Sequence, residues 1–560
     1  MAGSTIPVLA FSVLVLLAGY KFIYAPLFQH PLSHIPSAHW SIPIFGDVWI
    51  TWQRYKERNN AVTFAAHRKH GSVVRMAANE LAVDCVDNGI RTIYAGGWEK
   101  HAWYPQRFAS YGVMNMFSTI HHLPHSQKKR TIANVYSKSY IASSPQVAAN
   151  SHVLFSQRFL PLLDQYSKTG EAVDVHDLNN AMAMDFMSAF QFGLSSSTNF
   201  TQDVAKRKEI MHHYHCRREF EFFSAELPWV KTLTKRLGIP VVPDFFDVAN
   251  LTIEDWNADM CRSADDYVAK QGSIASPFPG DEPVVYNQFK SGMLKLRAKD
   301  GAAGKALSSE QLILPTTRHD ALDKGGVDNA DDTTTAEIYS DMLDQLGAGH
   351  ETSAIALTYL YWEMSQRPEL MKALRKELLT LTPPIQWPLP TGFDLKDFNL
   401  PNPKQIDALP LLNAIVMETL RLHTPIPGIE PRISPYIAGG STLGEYSNIP
   451  GGVRVSAMPY TLHRNEEVFP QPNSFNPSRW LPEHTSEEQL KEMNRWFWAF
   501  GSGGRMCIGS HLATQEIKLL VAAIYSNWTT EVIDDEGIEE IDAYTTRPKS
   551  NRLMLRFAHV

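Results

Sequence analysis

Cysteine is scarce in this chain. Four of 560 residues are cysteine, at positions 85, 216, 261 and 507. No two lie close enough for a paired-cysteine zinc site or a dense disulfide framework. Cys85, Cys216 and Cys261 are therefore expected to act as small buried hydrophobes. Charge of one sign is missing as well. Fifty-two Lys and Arg face 59 Asp and Glu, interleaved, for a net charge of −7. That balance gives no reason to expect a nucleic-acid partner. There is no internal repeat and no long low-complexity tract, which removes solenoids and linker-rich arrays. A second long apolar run is also absent.

The one such run is Ile6 to Phe28, broken only by Lys21. A helix needs about 20 apolar residues to cross a bilayer core. The expected arrangement is a transmembrane anchor over residues 1–29. A cleaved leader is the rival, but no Lys or Arg precedes the run and apolar residues continue past any cleavage point. A buried core helix is a third alternative. Pro31, Pro36 and Pro43 follow, and proline disfavours helix in the residue before it. Residues 30–50 are accordingly expected to be an extended hinge, with residues 51–560 one large catalytic domain. Lys21 on the body side points to a cytosolic body.

Helical spacing dominates that body, so the fold class is mainly α with small β-sheets. The longest helix is expected over Ala336–Gln366, with DDTTT before it as capping material. Further helices are expected after Pro368, over Ala408–Leu422 and from His511 onward. SVVRMA, ELAVDCV and RLMLRF read as strands. Gln271 to Asp332, rich in Gly, Asp, Thr and Pro, reads mostly as loop or short helix.

Two motifs carry chemistry. Residues 500–509 read FGSGGRMCIG and open onto a helix. Glycines let backbone approach a flat ligand closely. Backbone N–H groups and a helix N-terminus lower a thiol pKa. Cys507 thus suits an iron ligand, with Arg505 in reach of an anionic group on the same cofactor. A redox cysteine and an incidental cysteine are the alternatives. The second motif, Gly347-Ala348-Gly349-His350-Glu351-Thr352-Ser353, sits inside the longest helix. Each interior glycine costs a helix about 1 kcal/mol relative to alanine. A local widening that frees a carbonyl and admits a ligand would explain them. Close helix packing would explain them too.

Phe500, Gly503, Arg505, Cys507 and Gly509 resemble the haem loop of the cytochrome P450 superfamily. Gly347 to Thr352 resemble its oxygen-activating motif. The resemblance implies the P450 fold and heme b (iron protoporphyrin IX), with Cys507 as axial iron ligand and Phe500 beside the sulfur. It implies that Ala348, Gly349, Glu351 and Thr352 serve oxygen activation. By the same resemblance Glu418 and Arg421, an i, i+3 pair, form a buried structural network with Arg479. His125 and Lys129 stand where the family has Trp-x-x-x-Arg, and Arg130 could replace Lys129. Arg432 resembles a propionate-binding arginine.

The implied activity is insertion of one oxygen atom from O2 into a hydrophobic small molecule, with electrons from a separate NADPH-cytochrome reductase. Lys128, Lys129 and Arg130 are candidates to meet that partner. Candidate pocket segments are Tyr111–His122, Asp344–Ala348, Pro425–Ile429 and Ala543–Thr546. They hold Met114, Met116, Phe117, Leu346, Ile426 and Ile429. The sequence is similar to membrane-bound fungal members, which implies secondary metabolism at the endoplasmic reticulum membrane. Two alternatives stay open: a haem-thiolate isomerase or dehydratase working without reductase, and a fatty-acid or sterol hydroxylase.

Overall fold

A computed structural model describes residues 5–271, 277–302 and 330–560. Its spine is a 36-residue helix, Ala330–Ser365. DDTTT lies inside this helix, which begins earlier than the sequence suggests. The neighbouring helix Val175–Phe192 is buried on almost every side, although it carries polar residues such as His176, Asn179, Asp185 and Gln191 among its apolar ones. Such a helix belongs in a core, not on a surface. Asp174 caps it by accepting from the N–H groups of His176 and Asp177, and Gly193 ends it at φ 78°. Helices Pro368–Leu378, Pro410–Leu422 and Ser510–Asn527 pack beside the spine, and the first two carry proline in their first turn.

The strands form three small sheets. β1 (Val73–Ala77), β2 (Glu80–Val83), β7 (Arg454–Ser456) and β4 (Arg432–Ile433) pair in that order. β3 (Val173–Asp174), β9 (Met554–His559) and β8 (Trp528–Asp534) make a second sheet. β5 (Ser441–Leu443) and β6 (Tyr446–Ile449) make a hairpin. The three strands expected from sequence fall on β1, β2 and β9.

Several expectations need correction. Within the stretch after Gln271, Val284–Ala302 is a 19-residue helix, longer than the short helices expected there; residues 272–276 and 303–329 of that stretch lie outside the described ones. Residues 30–50 are not an extended connector. They form turns and short helices, and Leu32, Ile35, Ile42 and Ile50 are buried against the body. Apolar side chains between the prolines outweigh their stiffness. Cys261 is buried, but Cys85 and Cys216 are only half-buried.

The N-terminal run forms helix Thr5–Gly19, continued by a wider turn to Gln29. Phe11, Leu14 and Leu16 are exposed, so the segment is no core helix. Among the described residues no helix is long and apolar enough to cross a membrane.

Candidate active site

A cavity of about 340 Å³ lies between the spine helix and the cysteine loop. Cys507, Phe500, Arg505 and Gly509 line one side, and Gly347, Ala348, Gly349, Glu351 and Thr352 line the other. The loop is held from within. The Cys507 N–H donates to the Phe500 carbonyl at 3.0 Å. Gly503 sits at φ 69°, and a Cβ there would collide with the Tyr94 carbonyl. Its glycine serves a backbone crossing, where sequence reasoning assigned approach to a ligand. A Cβ on Gly509 would sit 3.9 Å from the Cys507 sulfur.

Cys507 is exposed and opens onto the cavity. Burial pushes its thiol pKa up, outweighing the Gly509 N–H, Lys129 and the Ser510 N–H, which pull it down. This reverses the expected lowering, because desolvation of the anion exceeds the help from neighbouring dipoles. A metal cation on the cavity side is what would favour the thiolate.

On the opposite wall the helix is α-helical throughout, so the expected widening is absent. Thr352 Oγ1 donates to the Ala348 carbonyl at 2.7 Å. A Cβ on Gly349 would overlap Met187, so this glycine permits the crossing of the two central helices. Gly347 has no such neighbour; the nearest atom, the Tyr214 hydroxyl, is 4.0 Å away. Glu351 pairs with Arg218 at 2.8 Å. Burial works against its charge, but Arg218, then His350, hold its pKa below the usual range.

One end of the cavity is lined by basic groups. Lys100, His125, Lys129 and Arg505 all line it. Arg505 donates to the Thr119 and Ile120 carbonyls at 2.6 and 2.8 Å. Lys129 donates to those of Gly504 and Met506 at 3.1 and 2.9 Å, and Lys100 to that of Phe117 at 2.6 Å. Burial, then Arg432 and Arg505, lowers the Lys100 pKa well below its ordinary value, and burial lowers that of Lys129. Burial, then Arg432, lowers Arg505 to about 10. Burial, then Arg505, Lys100 and Lys129, lowers His125 to about 2. Cations held this close to one another await an acidic group. A flat iron macrocycle with carboxylates at one edge fits this donor set: a thiol on one face, cations at the rim.

Three sequence expectations change here. Arg130 is exposed and Lys129 faces the cavity. Lys128 is buried, donates to the Met114 carbonyl and stands 3.5 Å from Asp341, so it is no docking cation. Arg432 does not line the cavity. It is buried, bonds the Tyr104 hydroxyl at 2.8 Å and stacks on Tyr94 and Tyr104. Lys100, bridged to Arg432 through backbone, takes the wall position instead. It was missed because a single lysine in irregular chain has no pattern. Among the pocket candidates Met116, Phe117 and Ile426 line the cavity, while Leu346 and Ile429 are buried in the core.

Behind the cysteine loop, Glu418 accepts five hydrogen bonds. Arg421 gives two at 2.8 Å, Arg479 one at 3.0 Å, and the Asn476 N–H and the Trp480 indole one each at 2.9 Å. Glu418 and Arg421 are fully buried. Burial opposes the carboxylate, but the Arg421 hydrogen bonds and both arginine charges hold its pKa low.

The model of the family "Cytochrome P450" matches residues 315–555, which carry both motifs and the Glu418 network. A cytochrome P450 monooxygenase of Aspergillus versicolor is 28% identical over 80% of this chain and 92% of its own length. The chain belongs to the cytochrome P450 superfamily. This P450 is also 26% identical to a cytochrome P450 monooxygenase of Aspergillus niger, over 94% of this chain and 93% of that one. It is 24% identical to a fusicoccadiene C-8 hydroxylase of Alternaria brassicicola, over 96% and 92%. A crystal structure of a cytochrome P450 superposes with a TM-score of 0.62 at 17% identity, covering 90% of this chain and 94% of that one, which shows the shared fold. The chain is an oxidoreductase, a haem-dependent monooxygenase.

Proposed function

We propose that this P450 inserts one oxygen atom from O2 into a hydrophobic small molecule of secondary metabolism, with electrons from a separate NADPH-dependent reductase. The observation that carries the reading is the shared cavity, with Cys507 on one wall and Thr352 on the other. Heme b bound there would supply the iron that activates O2. Cys507 Sγ would hold that iron, and Phe500 would pack beside the sulfur. Arg505, Lys129, His125 and Lys100 would meet the carboxylates, which their mutual repulsion favours. The Thr352 hydroxyl, anchored on Ala348, holds a proton at the opposite wall. Glu351, kept ionised by Arg218, exchanges protons with water beside it. The apolar wall of Met116, Phe117 and Ile426 excludes water from the substrate. Fungal relatives, one of them named a fusicoccadiene C-8 hydroxylase, support a hydrophobic substrate.

The same proposal keeps residues 1–29 as an anchor in the endoplasmic reticulum membrane, with the catalytic body cytosolic. Two exposed apolar stretches support a membrane-facing side. One holds Trp40, Phe45, Val48 and Trp52, and the other Trp229, Leu233, Leu237 and Ile239. Tyr55 joins the two regions through ring contacts with Phe222 and Phe223. A body lacking residues 1–29 should still partition partly into microsomes; complete release would confine attachment to the anchor.

The test of function is reconstitution with NADPH reductase and a panel of terpenoid hydrocarbons and their oxygenated derivatives. Product should require NADPH, and Thr352→Ala should cut product per NADPH about ten-fold or more, given what positioned proton transfer contributes. Turnover that ignores NADPH would point to an isomerase or dehydratase instead.

A further inference from the structure

The cavity is lined by many charged groups, and nearly all are engaged. Arg107 bonds Glu221, Arg218 bonds Glu351, and Ser353 donates to Glu516. Lys100, Lys129 and Arg505 donate to carbonyls. Asp344 is different: it is the one carboxyl of the lining with no hydrogen bond or ion pair among the described residues, whereas Glu516 keeps one bond, to Ser353, and of the basic groups only His125 is likewise unbonded. Its neighbour Asp341, one turn earlier, is satisfied by the Met116 N–H at 2.7 Å and by Lys128.

Position gives this vacancy a direction. Asp344, Ala348 and Thr352 are spaced four apart and form one stripe of the spine helix. All three line the cavity. Eight residues of helix separate Asp344 from Thr352 by about 12 Å along the axis. Apolar side chains surround the intervening space, among them Met116, Phe117, Leu343 and Tyr544. Asp344 is half-buried and faces the cavity; a carboxyl shut off from water by a ligand needs a partner, and a ligand atom that bonds it meets that need.

The protonation state narrows the ligand. Burial, then Asp341, pushes the Asp344 pKa up to about 8, against the opposing pull of Lys100 and Lys128. Tyr136 is the further titratable group near it, and burial together with Cys507 and Asp344 keeps that phenol protonated. At neutral pH Asp344 is therefore a carboxylic acid. It donates to a carbonyl or hydroxyl oxygen and offers no charge for an ammonium.

We propose that Asp344 is a specificity residue that holds a carbonyl or hydroxyl oxygen of the substrate, so that this P450 takes a hydrocarbon framework already carrying one neutral oxygen function. That function sits about 12 Å along the spine helix from the Thr352 end, where oxidation occurs. The inference rests on the cavity being the substrate site of the proposed monooxygenase. It also places the reaction after a step that has already oxygenated the framework.

The experiment titrates haem-loaded enzyme by calorimetry with 1-tetralone and with tetralin, which share a ring frame and differ by one carbonyl. The quantity read is the tetralone-to-tetralin affinity ratio in wild type, Asp344→Leu, Asp344→Ala and Asp344→Asn. A hydrogen bond of ordinary net strength predicts a fall of about ten-fold in Asp344→Leu and Asp344→Ala. Asp344→Asn keeps a donor and should retain the ratio within about three-fold. Because Asp344 bonds nothing among the described residues, the apolar variants should melt no lower than wild type. An unchanged ratio in the apolar variants would overturn the proposal, as would failure of the cavity to bind either probe. The carbon monoxide difference spectrum, recorded on the same samples, reports haem ligation separately. Loss of that signal with an intact calorimetric ratio would count against the haem assignment and not against Asp344.

Discussion

The two walls of the cavity are built on opposite principles. Behind the cysteine loop every polar group is spoken for: Glu418 has five donors, and Arg421 also reaches the His463 and Pro472 carbonyls. Along the spine helix, Thr352 faces the open space and Asp344 has no partner. A saturated network fixes one conformation, and any lost member leaves a buried charge exposed to its own desolvation cost. Unsatisfied groups cost stability, and they persist where a ligand completes them. The contrast separates the part of the molecule that holds a cofactor from the part that handles substrate and protons.

The largest effect should come from breaking the saturated side. Glu418→Ala strands two buried arginines and should cost about 3–5 kcal/mol, read as a lower denaturant midpoint or as failure to accumulate folded protein. A stability change under 1 kcal/mol would mean that the network is ornamental. Next is Gly503→Ala, which forces a side chain into φ 69° against the Tyr94 carbonyl. We expect a loss of about 1–3 kcal/mol together with weaker haem retention. Gly347→Ala, with open space at its Cβ position, should be neutral or slightly stabilising, so the pair distinguishes structural glycine from tolerated glycine.

A smaller effect concerns pH. His423 lies between Glu363 at 3.0 Å and Glu540 at 2.6 Å. Burial disfavours its charge, but the two carboxylates outweigh burial and raise its pKa above the ordinary value. A raised folded pKa gives stability that is complete below the unfolded pKa and disappears as pH rises through the folded one. Melting temperature should therefore fall on the alkaline side of neutrality in wild type, and fall less in His423→Gln. Parallel curves for the two proteins would contradict the assignment. The smallest effect is on the open side, where Asp344→Leu should leave the melting temperature unchanged or slightly higher.

Much of both walls was legible in the sequence, because their chemistry depends on fixed short spacings. Phe500 to Gly509, Glu418 with Arg421, and Gly347 to Thr352 each lie within a turn or two of chain. Long apolar periodicities revealed the major helices for the same local reason. What the sequence hid was set by long-range packing. β4 and β7 are only two and three residues long and exist because they pair across the chain. The roles of Lys100 and Arg432 exchange because a backbone bridge joins residues more than 300 positions apart. Gly349 and Gly503 looked like ligand-facing glycines, yet Met187 and Tyr94 decide them. The upward shift of the Cys507 thiol pKa comes from desolvation by atoms that the whole fold gathers around the cavity, which no local pattern records.

The central claim is that the cysteine loop seats a haem through Cys507. The most direct test is to reduce the purified full-length protein, add carbon monoxide, and record the difference spectrum beside that of Cys507→Ala. The account predicts a strongly red-shifted Soret band in the wild type and its loss in the variant. A spectrum indifferent to Cys507, or no haem in a folded wild-type protein, would contradict it.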